Sequence, residues 1–403
     1  RRLPLMFNTT ACMLLSPWKV APLALIFGND MKRLIVTALA PLLLAVGLNA
    51  QNNFSTQGWW EPAGKTYPLV ENGSITFRLE APEARKVTLL FDEWTILRQE
   101  MSRGQDGIWE TTVSGVKPGV YEYKFVVDGN VVLDMKNPSV KFGTEIYANT
   151  VEVTGAEPRV DQRVLTGSQV DILSYRSSSL GRYRRIWVYV PEAYFRNKNK
   201  KFPVLYLRHG GGDDESSWVR SANADAIMDN LIAAGKAAPM IVVMTNGLTD
   251  GSWAGGSSPE GMKTLETELL SDVIPLVESR YRVKKDRRHR AIAGLSMGGG
   301  QSFVIGLRNL DKFSAIGEFS SGLLSEPFDY EKYGIDPDPV KINDSLNLLW
   351  VSCGTLDTRW NGHQAFDADL TRRGIRHTFD SSGYGHQWQF WREQLALFVQ
   401  QVF

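Results

Sequence analysis

The sequence predicts a mostly parallel β-sheet covered by helices on both faces, preceded by a small all-β sandwich of immunoglobulin-like type. From Trp59 to Val153, short alternating strands follow one another across turn residues. Farther on, wholly apolar runs alternate with helix-length segments, the pattern of strands buried on both faces. Between the two lies the polar stretch 155–162, which contains Pro158, has no periodicity, and marks a domain boundary.

In the first region the strands are SITFRL (74–79), KVTLLF (86–91), WETTV (109–113), YEYKFVV (121–127) and NTVEV (149–153), with Pro118-Gly119 and Asp128-Gly129 as turns. Trp109, Tyr121 and Tyr123 read as core of this sandwich. The second region offers RIWVYV, FPVLYL, MIVVM, HRAIAG and LNLLWVS as strands, with helices over 224–234, 265–280 and 299–307. RNKNKK (196–201) reads as a solvated loop.

Composition narrows the function classes. The chain has 403 residues, and its 45 Lys+Arg against 44 Asp+Glu leave a net charge of +1, which argues against a nucleic-acid binder held by phosphate contacts. Cys12 and Cys353 cannot make a disulfide framework, and five histidines with no pair at ligand spacing argue against a zinc site. No metal or cofactor is expected.

Met31 to Ala50 has the layout of a secretory signal peptide: a start residue, two basic residues, an apolar stretch and a small terminal residue. The apolar run from Leu34 to Leu48 contains Pro41 and falls short of the ~20 residues a spanning helix needs, so no stable membrane anchor is expected. The expected division is therefore an upstream non-native or unstructured segment (1–30), a signal peptide (31–50), the sandwich (51–156) and the second domain (157–403). The expected destination is outside the cytoplasm, secreted or periplasmic.

Gly294-Leu295-Ser296-Met297-Gly298 places a serine in G-x-S-x-G after an apolar strand and before a helix-length segment. That context gives the motif its meaning: a serine on a tight strand-to-helix turn exposes its Oγ at the end of a sheet, and small residues on either side allow close backbone approach. A serine hydroxyl needs a histidine to take its proton and a carboxylate to orient that histidine. Of the five histidines, His209, His289, His363 and His377 fit less well than His386, which sits in a glycine-flanked loop before the last helix. Asp357 follows the strand LNLLWVS by a short loop and is favoured as the acid over Asp367 and Asp380, giving the order nucleophile, acid, histidine of an α/β-hydrolase. Acyl transfer also needs amide donors for an oxyanion, expected from Met297 and from the run His209-Gly210-Gly211-Gly212, at Gly211 in particular. A phosphate loop is the rival reading of that run, but no Lys-Ser/Thr follows it.

The segments RRIWVYVPEAY, FPVLYLRHGGGDDESSW, MIVVMTNG, HRAIAGLSMGGGQS, LWVSCGTLD and GYGHQWQFWREQLALF resemble successive blocks of the esterase D-like, family 1 carbohydrate esterase group of α/β-hydrolases. That group includes feruloyl and acetylxylan esterases. The resemblance implies the triad Ser296, Asp357 and His386 and the oxyanion donors Gly211 and Met297. It also implies ester substrates on plant cell-wall polysaccharide or, in a divergent branch, a siderophore trilactone. FDEW (91–94), GIWETTV, PGVYEYKFVVDG and NTVEV are similar to family 48 carbohydrate-binding modules, which implies sugar contacts at Trp94, Lys124 and Asn149. Where that family has a second stacking tryptophan, this chain reads Asn130-Val131-Val132.

The expected function is a secreted serine esterase hydrolysing hydroxycinnamoyl (feruloyl) esters on arabinoxylan or xylo-oligosaccharides, with Trp253 and Trp360 as candidate walls for the aromatic acyl group. The alternatives are an acetylxylan esterase, a siderophore trilactone esterase, for which Arg208, Arg220 and Arg359 would supply positive charge, and a non-catalytic polysaccharide-binding protein. On this reading, removing the sandwich lowers retention on xylan and leaves turnover of small soluble esters largely intact.

Overall fold

The computed structural model describes residues 68–403 apart from 93–96, 155–158, 165 and 326. The expected leader, the segment before it and Trp94 lie outside the described residues.

Among the described residues ten strands build the sandwich: β1 (Leu69–Glu71), β2 (Ser74–Glu80), β3 (Val87–Phe91), β4 (Leu97–Glu100), β5 (Ser102–Arg103), β6 (Ile108–Val113), β7 (Gly119–Val127), β8 (Asn130–Val132), β9 (Val140–Lys141) and β10 (Ala148–Val153). They pair as two sheets, β1-β2-β6-β5 and β4-β3-β7-β10-β9, with β8 hydrogen-bonded to β7. Alternation along the strands decides which side chains meet between the sheets: Ile75 and Phe77 from one sheet face Leu89, Tyr123 and Phe125 from the other. Trp109 and Tyr121 are core as expected, and their polar ends are satisfied by the carbonyls of Ala81 (2.9 Å) and Lys117 (2.8 Å). Asp128 and Gly129 both have positive φ, the geometry of a two-residue hairpin turn between β7 and β8.

The described residues of the second domain carry eight strands: β11 (Gln169–Arg176), β12 (Tyr183–Val190), β13 (Val204–Arg208), β14 (Ile241–Thr245), β15 (Arg290–Leu295), β16 (Ala315–Phe319), β17 (Leu348–Ser352) and β18 (Thr378–Asp380). Their order is β11-β12-β14-β13-β15-β16-β17-β18. From β14 to β18 every pairing is parallel, but β12, which contains the apolar run RIWVYV, is antiparallel to both neighbours. A turn of six residues joins β11 to β12, too short for the crossover that a parallel pair requires.

The helices that matter for the site are α1 (Ala224–Ala233), α2 (Pro259–Glu268), α3 (Ile274–Arg280), α4 (Ser296–Arg308), α5 (Trp360–Arg373) and α6 (Trp388–Val399). Period-two alternation sorts each central strand between two cores. Val204 and Tyr206 of β13 pack with Leu265, Val277, Phe303 and Phe366 of α2 to α5. Leu205 and Leu207 pack with Ile227 of α1 and Phe390, Leu395 and Phe398 of α6. The described residues belong to one compact unit, so the sandwich and the α/β domain are packed together. Arg392 of α6 illustrates the packing: its buried guanidinium donates to the carbonyl of Val120 in β7 at 3.3 Å.

Candidate active site

The loops that carry the predicted catalytic residues all leave the carboxyl edge of the parallel strands: 209–214 after β13, Ser296 after β15, 353–359 after β17 and 381–387 after β18. Ser296 has φ +48°, a left-handed conformation that costs a non-glycine residue roughly 1–3 kcal/mol and that the surrounding packing must enforce. Its glycine neighbours explain how. A Cβ on Gly294 would lie 2.5 Å from the Gly298 carbonyl oxygen, and one on Gly298 would lie 2.3 Å from that of His209, so only bare backbone fits at either position.

His386 Nε2 accepts from Ser296 Oγ at 2.9 Å, and His386 Nδ1 donates to Asp357 Oδ2 at 2.6 Å. All three residues are buried. The second oxygen of Asp357 accepts the Arg359 N–H at 3.0 Å and faces the Arg359 guanidinium at 3.4 Å. Burial works to raise the Asp357 pKa, but the hydrogen bond and charge of His386, with the N–H and charge of Arg359, outweigh it and hold the carboxyl at about 2. For His386 burial dominates and lowers its pKa below the ordinary histidine value, against the pull of Asp357. The acid and histidine loops are laced by backbone: Thr355 N donates to Ser382 O (2.9 Å) and Leu356 N to Tyr384 O (3.0 Å). Trp391 of α6 braces the imidazole edge-on, with ring centres 4.9 Å apart.

The competing groups have other partners. His377 Nε2 pairs with Asp367 at 2.8 Å, and Asp380 accepts from Gln394 at 2.7 Å. His289 pairs with Asp286. His209 is buried, donates from Nδ1 to Gly210 O (2.7 Å) and accepts the Gly247 N–H at Nε2 (2.8 Å), so it pins two loops. His363 is buried against Glu318 at 3.2 Å; burial opposes its charge, but the Glu318 carboxylate, with Cys353, outweighs that and raises its pKa.

Gly210, Gly211 and Gly212 lie beside the nucleophile and line the same pocket as Ser296 and His386. Gly212 N donates to Trp253 O at 2.7 Å, and the Trp253 ring lies flush on the glycine run: a Cβ on Gly211 would meet it at 2.7 Å. Met297 is the second residue of α4, where backbone N–H groups have no partner within the helix. Leu295, Trp388 and Trp391 supply further apolar wall. The sandwich closes the remaining side with Asp92, Val120, Glu122, Lys141, Thr144, Glu145 and Tyr147. Among the described residues, no group of three or more His, Cys, Asp or Glu could hold a metal ion.

The chain's relationships to known proteins accord with this geometry. Residues 177–373 match the Esterase family model, and residues 62–140 match Carbohydrate-binding module 48 (Isoamylase N-terminal domain). The second domain is thus similar to the esterase family and the first to family 48 modules. An endo-1,4-beta-xylanase/feruloyl esterase of Xylanibacter ruminicola is 30% identical over 356 residues, which are 84% of this chain and 46% of that protein. The chain thus spans about half the length of this curated relative. A solved ferulic acid esterase is 29% identical with a TM-score of 0.51, covering 58% of this chain and 97% of its own. The enterobactin esterase of Shigella flexneri, 16% identical with a TM-score of 0.63, covers 87% of this chain and 98% of its own, and so shares the fold across module and esterase domain alike.

The other predicted contacts divide. Trp253 lines the pocket and is 63% exposed. Trp360 does not line it: it opens α5 and stacks on Phe379, ring centres 5.8 Å apart. In the module, Lys124 lies over the Tyr147 ring at 3.6 Å, in a groove shared with Arg98 and Tyr123. Asn149 is fully buried; its amide accepts from Asp134 N (2.7 Å) and donates to the carbonyls of Asp134 (2.9 Å) and Asn137 (3.0 Å). It fastens the 134–137 loop instead of facing a sugar. Arg208 is buried against Gln301, Arg220 lies over Phe142, and Arg359 faces Asp357, so none of the three arginines lines the pocket. Sequence reasoning missed the aromatic pair Trp388 and Trp391, although two tryptophans within five residues of His386 were its available signal.

Proposed function

We propose that the chain is a secreted serine esterase that hydrolyses feruloyl or related hydroxycinnamoyl esters on arabinoxylan or xylo-oligosaccharides through an acyl-enzyme. The observation that carries this reading is the hydrogen-bonded line Asp357–His386–Ser296 opening into an aromatic-walled pocket beside a glycine run. His386 takes the Ser296 proton as Oγ attacks the ester carbonyl carbon. Gly212 N–H is held by Trp253 O and Asp213 N–H by Gly210 O, which leaves the Gly211 N–H, with that of Met297, for the oxyanion. His386 then protonates the departing sugar oxygen, and later removes a proton from the water that releases the acid and restores Ser296. Asp357 stays ionised and stabilises the imidazolium.

Three features favour a hydroxycinnamoyl group. Trp253, Trp388 and Trp391 form flat apolar wall suited to a phenolic ring. The Xylanibacter relative carries feruloyl esterase in its name. The charged lining of Asp92, Glu122, Glu145 and Asp213 against Lys141 is predominantly acidic and opposes an anionic catecholate complex. The test is product release from feruloylated xylo-oligosaccharide, acetylated xylan and a catecholate trilactone by parent and Ser296→Ala proteins. Ferulate release that depends on Ser296 is expected; acetate without ferulate would transfer the reading to sugar acetyl esters, and no Ser296-dependent product at all would make the protein a binder.

A further inference from the structure

The junction between module and esterase domain runs directly onto the glycine loop. Four consecutive module residues each touch the esterase domain there. Lys141, whose side chain is 13% exposed, sits between Glu122 of its own module (3.1 Å) and Asp213 of the loop (3.6 Å). The Phe142 ring lies under the Arg220 guanidinium at 4.1 Å. Gly143 presses backbone to backbone on Gly212: a Cβ there would fall 1.9 Å from the Gly212 carbonyl oxygen. Thr144 N donates to that same oxygen at 2.9 Å.

We infer that the module segment Lys141–Thr144 is a clamp that positions the oxyanion loop, which makes the module part of the hydrolytic site; the inference rests on the serine esterase reading above. Gly212 is gripped from both sides, its N–H by Trp253 of the esterase domain and its carbonyl by Thr144 of the module. A run of three glycines has more backbone freedom than any other tripeptide, so its conformation must be imposed from outside. An oxyanion donor works only if it is already aimed before charge develops. The clamp supplies that aim on the carbonyl side. Its residues are positioning residues: they act on Gly211 through Gly212 and Asp213. Removal of the module would therefore lower turnover even of small soluble esters, contrary to the expectation from sequence.

The test uses the full chain with Gly143→Ala and Thr144→Pro, the latter lacking the N–H, and Val131→Ala on exposed β8 as a control on the same module. Each is assayed with p-nitrophenyl acetate, whose small acyl group makes no demand on an aromatic wall, and each is followed by hydrogen exchange of the amides of residues 209–214. The clamp predicts a fall in kcat of about 10- to 100-fold with little change in KM, faster exchange confined to that loop, and parental values for Val131→Ala. Parental kcat together with unchanged loop exchange in both Gly143→Ala and Thr144→Pro would overturn it. If the parent shows no turnover dependent on Ser296, the esterase reading fails, and the exchange measurement still decides whether the loop is clamped.

Discussion

Ser296, Asp357 and His386 each stand at the carboxyl end of a strand of the esterase domain, whereas the glycine loop beside them is held between that domain and the module. The two halves of one site are thus stabilised by different kinds of contact. The nucleophile's geometry comes from a strained turn with bare backbone packed around it. That of the loop comes from a two-domain grip in which Gly143, Thr144 and Trp253 share one residue, Gly212. The account predicts that damage to the first half removes the chemistry, and that damage to the second leaves the Asp357–His386–Ser296 line intact and weakens only the stabilisation of the transition state.

The largest effects sharpen that contrast at the triad. Ser296→Ala is expected to lower kcat by roughly 10⁶-fold, and Asp357→Asn by roughly 10⁴-fold, both measured on methyl ferulate with melting temperature as a check on folding. A loss no greater than that of Gly143→Ala would erase the distinction between the two halves.

The pH profile is next in size. His386 must be neutral to accept the Ser296 proton, and burial lowers its pKa, so kcat/KM should rise with pH through a midpoint below the ordinary histidine value of ~6.5 and then stay flat through neutrality. Asp357 pulls that pKa upward, so the residual activity of Asp357→Asn should show its acid limb at still lower pH. Clamp variants should keep the parental midpoint, because their residues lie outside the groups that set it. A midpoint that moved with Gly143→Ala would tie the loop to the triad after all.

The smallest effect concerns the module. Asn149→Ala strips partners from two buried carbonyls and one N–H, and should destabilise the protein by about 1–3 kcal/mol, read as a lowered melting temperature, with retention on xylan unchanged in the folded protein. Lost retention at an unchanged melting temperature would restore Asn149 as a sugar contact.

The hydrogen-bonded line of Ser296, His386 and Asp357 was legible in the sequence because each member has a local signature, and the chain order of serine, aspartate and histidine fits one strand arrangement. The competing aspartates could be separated only by their partners: Asp367 faces His377 and Asp380 faces Gln394, contacts that depend on helix placement. Trp360 is close to Asp357 in sequence, yet its position at the start of α5 turns the ring onto Phe379. Strand β16 escaped notice because Gly317 and Glu318 interrupt its apolar run, and Glu318 is tolerated there because His363 and the Ser321 N–H meet its carboxylate in the interior. The clamp had no signature at all. Lys141-Phe142-Gly143-Thr144 reads as an ordinary loop, and its partners lie some seventy residues away in another domain.

The central claim is that a feruloyl group passes through Ser296. Rapid acid quenching of the enzyme during turnover of feruloylated xylo-oligosaccharide, followed by peptide mass analysis, tests it most directly. The account predicts one feruloyl group on the peptide that carries Ser296 in the parent and none in Ser296→Ala, which releases no ferulate. Ferulate release that persists in Ser296→Ala, with no adduct on that peptide in the parent, would contradict it.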